Sequence, residues 1–584
     1  MKKLFFVIFL ISSFFLYSQE NLNKFNTSWS NVISGKVIGK PSISSFGFTF
    51  IADSRTIMSF SNQGTLLWEK NLSDWRDAKL LSLPQDFHLL LNKSNRKISL
   101  LNPSGLVVWE KEFEYPLLNQ ILAGRDGRFF VRTLNEIYCF GITGLCKWRI
   151  EIQKQNSLEM QELPDGSFVV FLQELNEGKS QGLRISPFGE ILEEITFAGK
   201  ILSVNHCNGG ILLTFTDGNS GLFALNQEEK VENKWVLQTK NIKASAESLS
   251  QARFIVSDDL SKVFYLLPDK NGLRFFRINL SDASVAYEFE IQNINGLELK
   301  EIYYQDSSIF VSDFTRALYF SENGIINREL NLPNSKNRKY FDYLLLTKDN
   351  HLVLCGNDWS LDAYKLSQNL NKGQKISIPA NYNSWYKSSN GDDSYWFEIP
   401  LDLKSHKRLE ILQQGFYGKD EIKYVNQLTE ACQSYSSELL SKTTNYPEEK
   451  SIFETNITEL ELILLQLSLF SDSYFNKYIS KFLKTLNNRS LLFALLKGIS
   501  VNGYDPDLEI MEALDILAGK TNYKDKQMLS KICDSVYSIC LFMGRPAFNS
   551  KGKNIVSKML SSNYDSKTRL YARDILKKIA ELEL

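Results

Sequence analysis

The chain has 584 residues, of which 43% are hydrophobic and 12% aromatic, enough to build packed cores in roughly two to four domains and too apolar for a disordered chain. Lys and Arg balance Asp and Glu at 67 each, so no net field draws the molecule to nucleic acid or anionic lipid.

The chain opens Met1-Lys2-Lys3, continues without charge from Leu4 to Tyr17, and reaches Ser18 ahead of Gln19-Glu20. A positive start, a short apolar run and a small residue at its exit predict a secretory signal peptide over residues 1–18, cleaved near Ser18. The run falls short of the about 20 residues that span a bilayer, and no cysteine at its exit offers a site for acylation. No later uncharged stretch is long enough to span, so the mature protein is expected to be exported, periplasmic or secreted, with no transmembrane segment. Residues 19–40 are polar and read as a lead-in.

From about residue 41 short strands and turns repeat. Ser45–Ile51 and Thr56–Phe60 are followed by the turn Ser61-Asn62-Gln63-Gly64 and a returning strand to Trp68. The second copy places Asn102-Pro103-Ser104-Gly105 between Lys97–Leu101 and a strand through Trp109, with Pro and Gly where a type I turn accepts them. The third closes on Gly144 and Trp148. The steps Gly64 to Gly105 and Gly105 to Gly144 are 41 and 39 residues, a period that predicts one propeller blade per copy. Later copies lose the Trp and keep the frame: Leu183–Leu192, Gly210–Trp235, Val263–Ile278, Ser308–Gly324 and His351–Leu366. The count is eight units, with seven blades as the alternative, over residues 41–385. The Trp of each Gly-x-x-x-Trp element is expected to dock between blades.

Gly64/Trp68, Gly105/Trp109 and Gly144/Trp148 resemble the blade ending of the quinoprotein-like (PQQ-type repeat) β-propeller superfamily, over roughly residues 40–385. That superfamily holds pyrroloquinoline-quinone enzymes and non-enzymatic envelope scaffolds such as outer-membrane assembly propellers. The resemblance implies an architecture and leaves the activity open. An enzyme of this superfamily is expected to carry a vicinal cysteine pair and an acidic calcium site near a stacking Trp. This chain has no Cys-Cys, and Trp235, Trp359 and Trp385 have no recognisable ligand set beside them. The non-catalytic branch is therefore the expectation, without cofactor.

Residues 386–404 read as a linker, with the solvated pair Asp392-Asp393 at its start. Beyond residue 405 the apolar period becomes helical. Thr458-Glu459-Leu460-Glu461 has capping-box spacing, Asp472 or Ser473 can cap the next helix, and Asp505-Pro506 reads as an N-cap with Pro at the first helical position. Gly519 is expected to end that helix, and Ala572, Ile575, Leu576, Ile579 and Leu582 form the buried stripe of the last one. Paired helices with the Asp-led starts Asp505-Pro506-Asp507 and Asp565-Ser566-Lys567 weakly resemble HEAT-type repeats; an irregular bundle is the alternative.

No catalytic or metal-binding constellation emerges. His88, His206, His351 and His406 are scattered, and no phosphate-loop, nucleophile-elbow or Cys-x-x-Cys motif occurs. If the third hairpin turns about Ile142-Thr143, Cys139 and Cys146 oppose each other within disulfide reach; two buried free thiols are the alternative. Cys533 and Cys540, seven apart on one helix, are too distant to bridge.

The sequence thus predicts a seven- or eight-bladed β-propeller followed by an all-α helical-repeat or bundle domain. Its function is read as that of an exported, non-enzymatic scaffold that binds a protein partner in the cell envelope. The alternative is a ligand- or glycan-binding protein, or an enzyme, with its site at the propeller axis.

Overall fold

The structure is a computed structural model that describes residues 27–365, apart from several stretches of which 238–251 is the longest, and 458–583, apart from a few positions before 473. Signal peptide, linker, His406, Trp385, Asp392-Asp393 and Cys432 lie outside the described residues.

Eight four-stranded antiparallel sheets make an eight-bladed β-propeller. The blades span residues 37–71, 78–112, 117–151, 156–197, 201–237, 253–292 and 301–331, and the eighth joins 341–365 to 27–32. The second and third strands of a blade are covered on both faces and read as near-continuous apolar runs, as in Gly47–Ala52, His88–Asn92 and Phe168–Gln173. Fourth strands such as Leu66–Asn71 are largely exposed on alternate positions.

Residues 19–40 are not a simple lead-in. Thr27–Val32 is a strand paired antiparallel with Ser360–Lys365, so the eighth blade takes its outer strand from the start of the chain. A polar run gave no such signal because an outer strand has one solvated face.

The turns before the returning strands follow one rule. Gly64 N–H donates to Ser61 O, Gly105 N–H to Asn102 O and Gly144 N–H to Gly141 O, and these glycines have φ of 80°, 81° and 79°. Each is a turn completed by a left-handed glycine, which adds one residue to the returning strand. A further register shift follows within two residues: Phe60 opposes Leu66 while Ser59 opposes Trp68, and Phe140 opposes Cys146 while Cys139 opposes Trp148. This corrects the expected Cys139–Cys146 opposition. The turn is centred on Ile142-Thr143 as read, but the extra residues carry Cys146 out of line, and no disulfide joins the two.

Beyond residue 457 the described residues are helical. After helical backbone over 460–465 come α1 (Ser473–Thr485), α2 (Arg489–Asn502), α3 (Glu509–Lys520), α4 (Lys526–Met543), α5 (Pro546–Ser557), a 3-10 turn (Lys558–Leu560) and α6 (Ser566–Glu581). They form two layers: α1, α3 and α5 pack in succession in one, and α2, α4 and α6 in the other. Asn488, Asp525 and Asp565 cap the second-layer helices through backbone N–H groups of the first turn. Asp505 is not the N-cap expected of it. Residues 505–508 turn first, α3 starts at Glu509, and the Asp505 carboxylate reaches forward to Ile510 N–H (3.1 Å) and Met511 N–H (2.8 Å). Gly519 lies inside α3, which ends one residue later.

The chain divides into two compact units, and the division does not follow the boundary between strands and helices. One unit holds blades one and four to eight. The other holds blades two and three, residues 187–190 and the helices.

Candidate functional site

Within the second unit, blade two and the helices share one apolar core. Leu83, Phe87, Leu89, Leu100 and Phe113 belong to the same buried cluster as Leu514, Ile532, Ile539 and Phe542. Phe87, just before the blade's second strand, meets Phe542 of α4 with ring centroids 5.1 Å apart.

Polar groups fix this seam. Helix α4 ends at Met543, and Gly544 turns left-handed with its N–H on Cys540 O. Pro546, at the first position of α5, cannot continue α4. The blade-two turn residue Asn102 sits against this corner. Its Oδ1 accepts from Ser104 N–H (3.0 Å), Ser104 Oγ (2.8 Å) and Leu106 N–H (2.9 Å), which shapes the turn. Its Nδ2 donates to Leu541 O at 2.6 Å, satisfying a carbonyl that the helix end leaves open. A Cβ on Gly544 would lie 2.5 Å from that Nδ2. Arg545 Nη2 reaches the carboxylate of buried Asp86 at 3.4 Å. Next to Asp86, His88 is buried, and desolvation holds its imidazole down to about 4, partly offset by Asp86.

Within the first unit, innermost strands Val37–Ile43, Glu301–Gln305 and Phe341–Leu346 are neighbours and carry a charged cluster. Lys40 pairs with Glu301 and Lys36 with Asp342, each at 2.8 Å. Lys40 Nζ also lies 5.5 Å from the Tyr303 ring centroid. The Tyr303 hydroxyl is 3.0 Å from Glu301 Oε2 and 3.2 Å from Leu344 O; burial first, then Glu301, pushes it far above the usual phenol range. Hydrogen bonding and charge from Asp342 raise Lys36. Each lysine has its carboxylate, so the cluster is electrostatically closed and can present half-exposed lysines beside an aromatic surface. No group of three or more His, Cys, Asp or Glu that could hold a metal occurs among the described residues.

The repeat residues sit between blades. A Cβ on Gly144 would lie 2.8 Å from Cδ2 of Trp109, and one on Gly189 equally close to Trp148. Gly64 stands in the same relation to Trp29, the outer-strand aromatic of the eighth blade. His88 and His351 each open the second strand of a blade; His351 Nδ1 lies 3.0 Å from Asp349. Trp359 is a half-exposed turn residue at positive φ. Asn102, Asp86, Gly544 and Arg545 escaped the sequence reading. Their partners lie more than 430 positions away, and only the Asn-Pro-Ser-Gly and Gly-Arg-Pro corners mark them as turns.

No protein-family profile and no curated protein sequence matches this chain. Solved structures similar to its fold include BamB from Moraxella catarrhalis, at 12% identity and a TM-score of 0.41, and Sqt1 from Saccharomyces cerevisiae, at 9% and 0.45. Virginiamycin B lyase from Staphylococcus aureus is similar at 12% and 0.35. Each of these alignments covers 59% of this chain and all of the other. Sequence identity this low speaks to the fold alone.

Proposed function

We propose that this protein is an exported, non-enzymatic scaffold of the cell envelope that binds a protein partner through its propeller loops and helical layers. The observation that carries the reading is the seam around Asn102. A helical domain that continues the core of blade two is held at a set angle to that blade, so surfaces of both can engage one partner. Two layers of helices, one of them capped by Asn488, Asp525 and Asp565, support the helical-repeat reading, in which extended faces suit protein binding. The PQQ-type repeat reading and the non-catalytic branch belong to the same proposal. The apolar start of the chain supports export, and no helix of the described residues is long and apolar enough to cross a membrane.

The test is affinity purification of the tagged full-length protein from crosslinked envelope, with N-terminal sequencing of the recovered chain. A stoichiometric partner and a mature start near residue 19 are expected; the absence of any partner overturns the scaffold reading. A second reading, a ligand or glycan site at the axis, rests on Lys36, Lys40 and Tyr303. It requires saturable binding that Lys40→Ala with Tyr303→Ala abolishes.

A further inference from the structure

The chain as a whole is balanced in charge, but its helical layers are polarised. The connections from α1 to α2, α3 to α4 and α5 to α6 lie along one edge, where the ends of one layer meet the starts of the other. Residues 481–490, 520–527 and 557–568 hold these connections and the turns beside them, and carry eight Lys and Arg against two Asp and no Glu. On the opposite edge, residues 503–512 between α2 and α3 carry Asp505, Asp507, Glu509 and Glu512 and no Lys or Arg.

Bonds between successive connections make the basic edge continuous. Lys520 Nζ, at the end of α3, donates to Lys484 O at the end of α1 at 3.2 Å. Asp525 holds Arg489 of α2 at 2.7 Å, and Asp565 holds Lys526 of α4 at 3.3 Å. Asp515 of α3 holds Lys551 and Lys558. Each of these acids is therefore engaged. Even with Asp515 and the half-buried Glu461 of the preceding helical backbone counted in, cations outnumber acids by eight to four. Lys481, Lys520, Lys524 and Lys567 are exposed and Lys484 half-exposed, and none of the five pairs with a carboxylate among the described residues.

This edge is also the one remote from blade two. From Lys526 to Leu541, whose carbonyl receives Asn102, helix α4 rises about 22 Å. Along the edge Tyr523 is 49% exposed, with Lys524 Nζ 5.7 Å from its ring centroid. A protein partner draws its affinity from apolar anchors seated in pockets, and a row of lysines around one tyrosine offers few. Lipid phosphates ask for charge and no pocket, and a tyrosine suits the headgroup level.

We propose that this edge docks on the surface of an anionic bilayer, with Lys481, Lys484, Lys520, Lys524 and Lys567 against phosphate headgroups and Tyr523 among them. The acidic edge between α2 and α3 is then turned away from the lipid. This goes beyond the scaffold reading: it names the side of the helical layers that meets a membrane and leaves the other faces to a protein.

The test is co-sedimentation of the mature chain, freed of its apolar start, with phosphatidylcholine vesicles that contain or lack phosphatidylglycerol. Binding is expected only with phosphatidylglycerol and is expected to fall as salt rises. Lys481→Gln/Lys520→Gln/Lys524→Gln should lower the affinity about tenfold or more. Lys497→Gln/Lys577→Gln/Lys578→Gln removes the same charge from exposed positions elsewhere on the helices and should change it less than about twofold. All six positions are exposed, and thermal unfolding confirms that both variants are folded. No binding that depends on phosphatidylglycerol, or an equal loss in the two variants, overturns the proposal. So does binding of a polyglutamate peptide at this edge with none to vesicles, which would assign it to an acidic protein. The vesicle assay contains no protein partner, so its failure strikes this edge alone, and absence of a partner in the envelope crosslinking experiment strikes the scaffold reading alone.

Discussion

The indole of Trp109 lies where a side chain on Gly144 would stand. Its Nε1–H donates to Ile142 O at 2.9 Å, in the same turn as Gly144, and its ring stacks on Phe129 at 5.9 Å. One blade's Trp is thus received by the next blade's Gly, so the repeated pair joins neighbours and does not act within one unit.

Gly144→Ala should therefore be costly. The left-handed φ alone costs about 1–2 kcal/mol for a residue with a Cβ, and the clash with Trp109 adds about 1–3 kcal/mol. Trp109→Ala should cost about 3–5 kcal/mol, and Trp109→Phe less, the loss including the indole hydrogen bond. Chemical denaturation compares the three; a neutral Gly144→Ala would mean that the blades can separate here without penalty.

Asn102 works in two directions, and substitution separates them. Asn102→Asp keeps the acceptors for Ser104 and Leu106 but replaces the donor to Leu541 O with a carboxylate at a helix C-terminus, where negative charge is unfavourable. A loss of about 1–3 kcal/mol is expected, with faster amide exchange confined to the end of α4 and the start of α5. Asn102→Ala should also loosen the blade-two turn. Equal exchange patterns in the two variants would refute the division of roles.

The Asp86–Arg545 pair can be tested with a double-mutant cycle built from Asp86→Asn and Arg545→Gln. Asp86 has φ of 66°, a conformation Asn tolerates, so that substitution probes charge and leaves the backbone in place. Because Asp86 is buried, removing Arg545 alone should cost more than removing both charges. A coupling energy near zero would place the strength of the seam in Phe87, Phe542 and Asn102.

Two buried groups act in opposite directions in mild acid. His88 is held down to about 4, so its contribution is present above the unfolded value of 6.5 and is lost as pH falls toward 4. Asp505 is raised to about 6, chiefly by desolvation, so its contribution is full below 3.8 and is lost as pH rises through 6. Relative to wild type, His88→Gln should gain stability as pH falls from 6.5 to 4, and Asp505→Asn should lose it. Unfolding midpoints of the three proteins across that window check both signs.

Much of the architecture is legible because it is written in local chemistry. A turn closed by Gly and followed four residues on by Trp acts over a few residues, and its recurrence near forty positions in three copies marks the propeller. Apolar helical stripes likewise mark the change to helices, and the Asp565-led start and the stripe from Ala572 to Ile579 place α6. The seam, in contrast, had no local signal: nothing near Asn102 says that its amide will meet Leu541.

What the sequence by itself determined is a propeller of seven or eight blades, the Gly and Trp of its repeat and the change to helices, since each follows from turn geometry and burial pattern within one short segment. Only the tertiary structure decided that Thr27–Val32 completes the eighth blade, that left-handed glycines and register shifts part Cys139 from Cys146, that Asp505 caps from a distance, and that α4 ends on blade two. Those outcomes depend on which surfaces meet after the chain has folded back over hundreds of residues, and a contact of that kind stabilises the fold without leaving a pattern in the residues beside it.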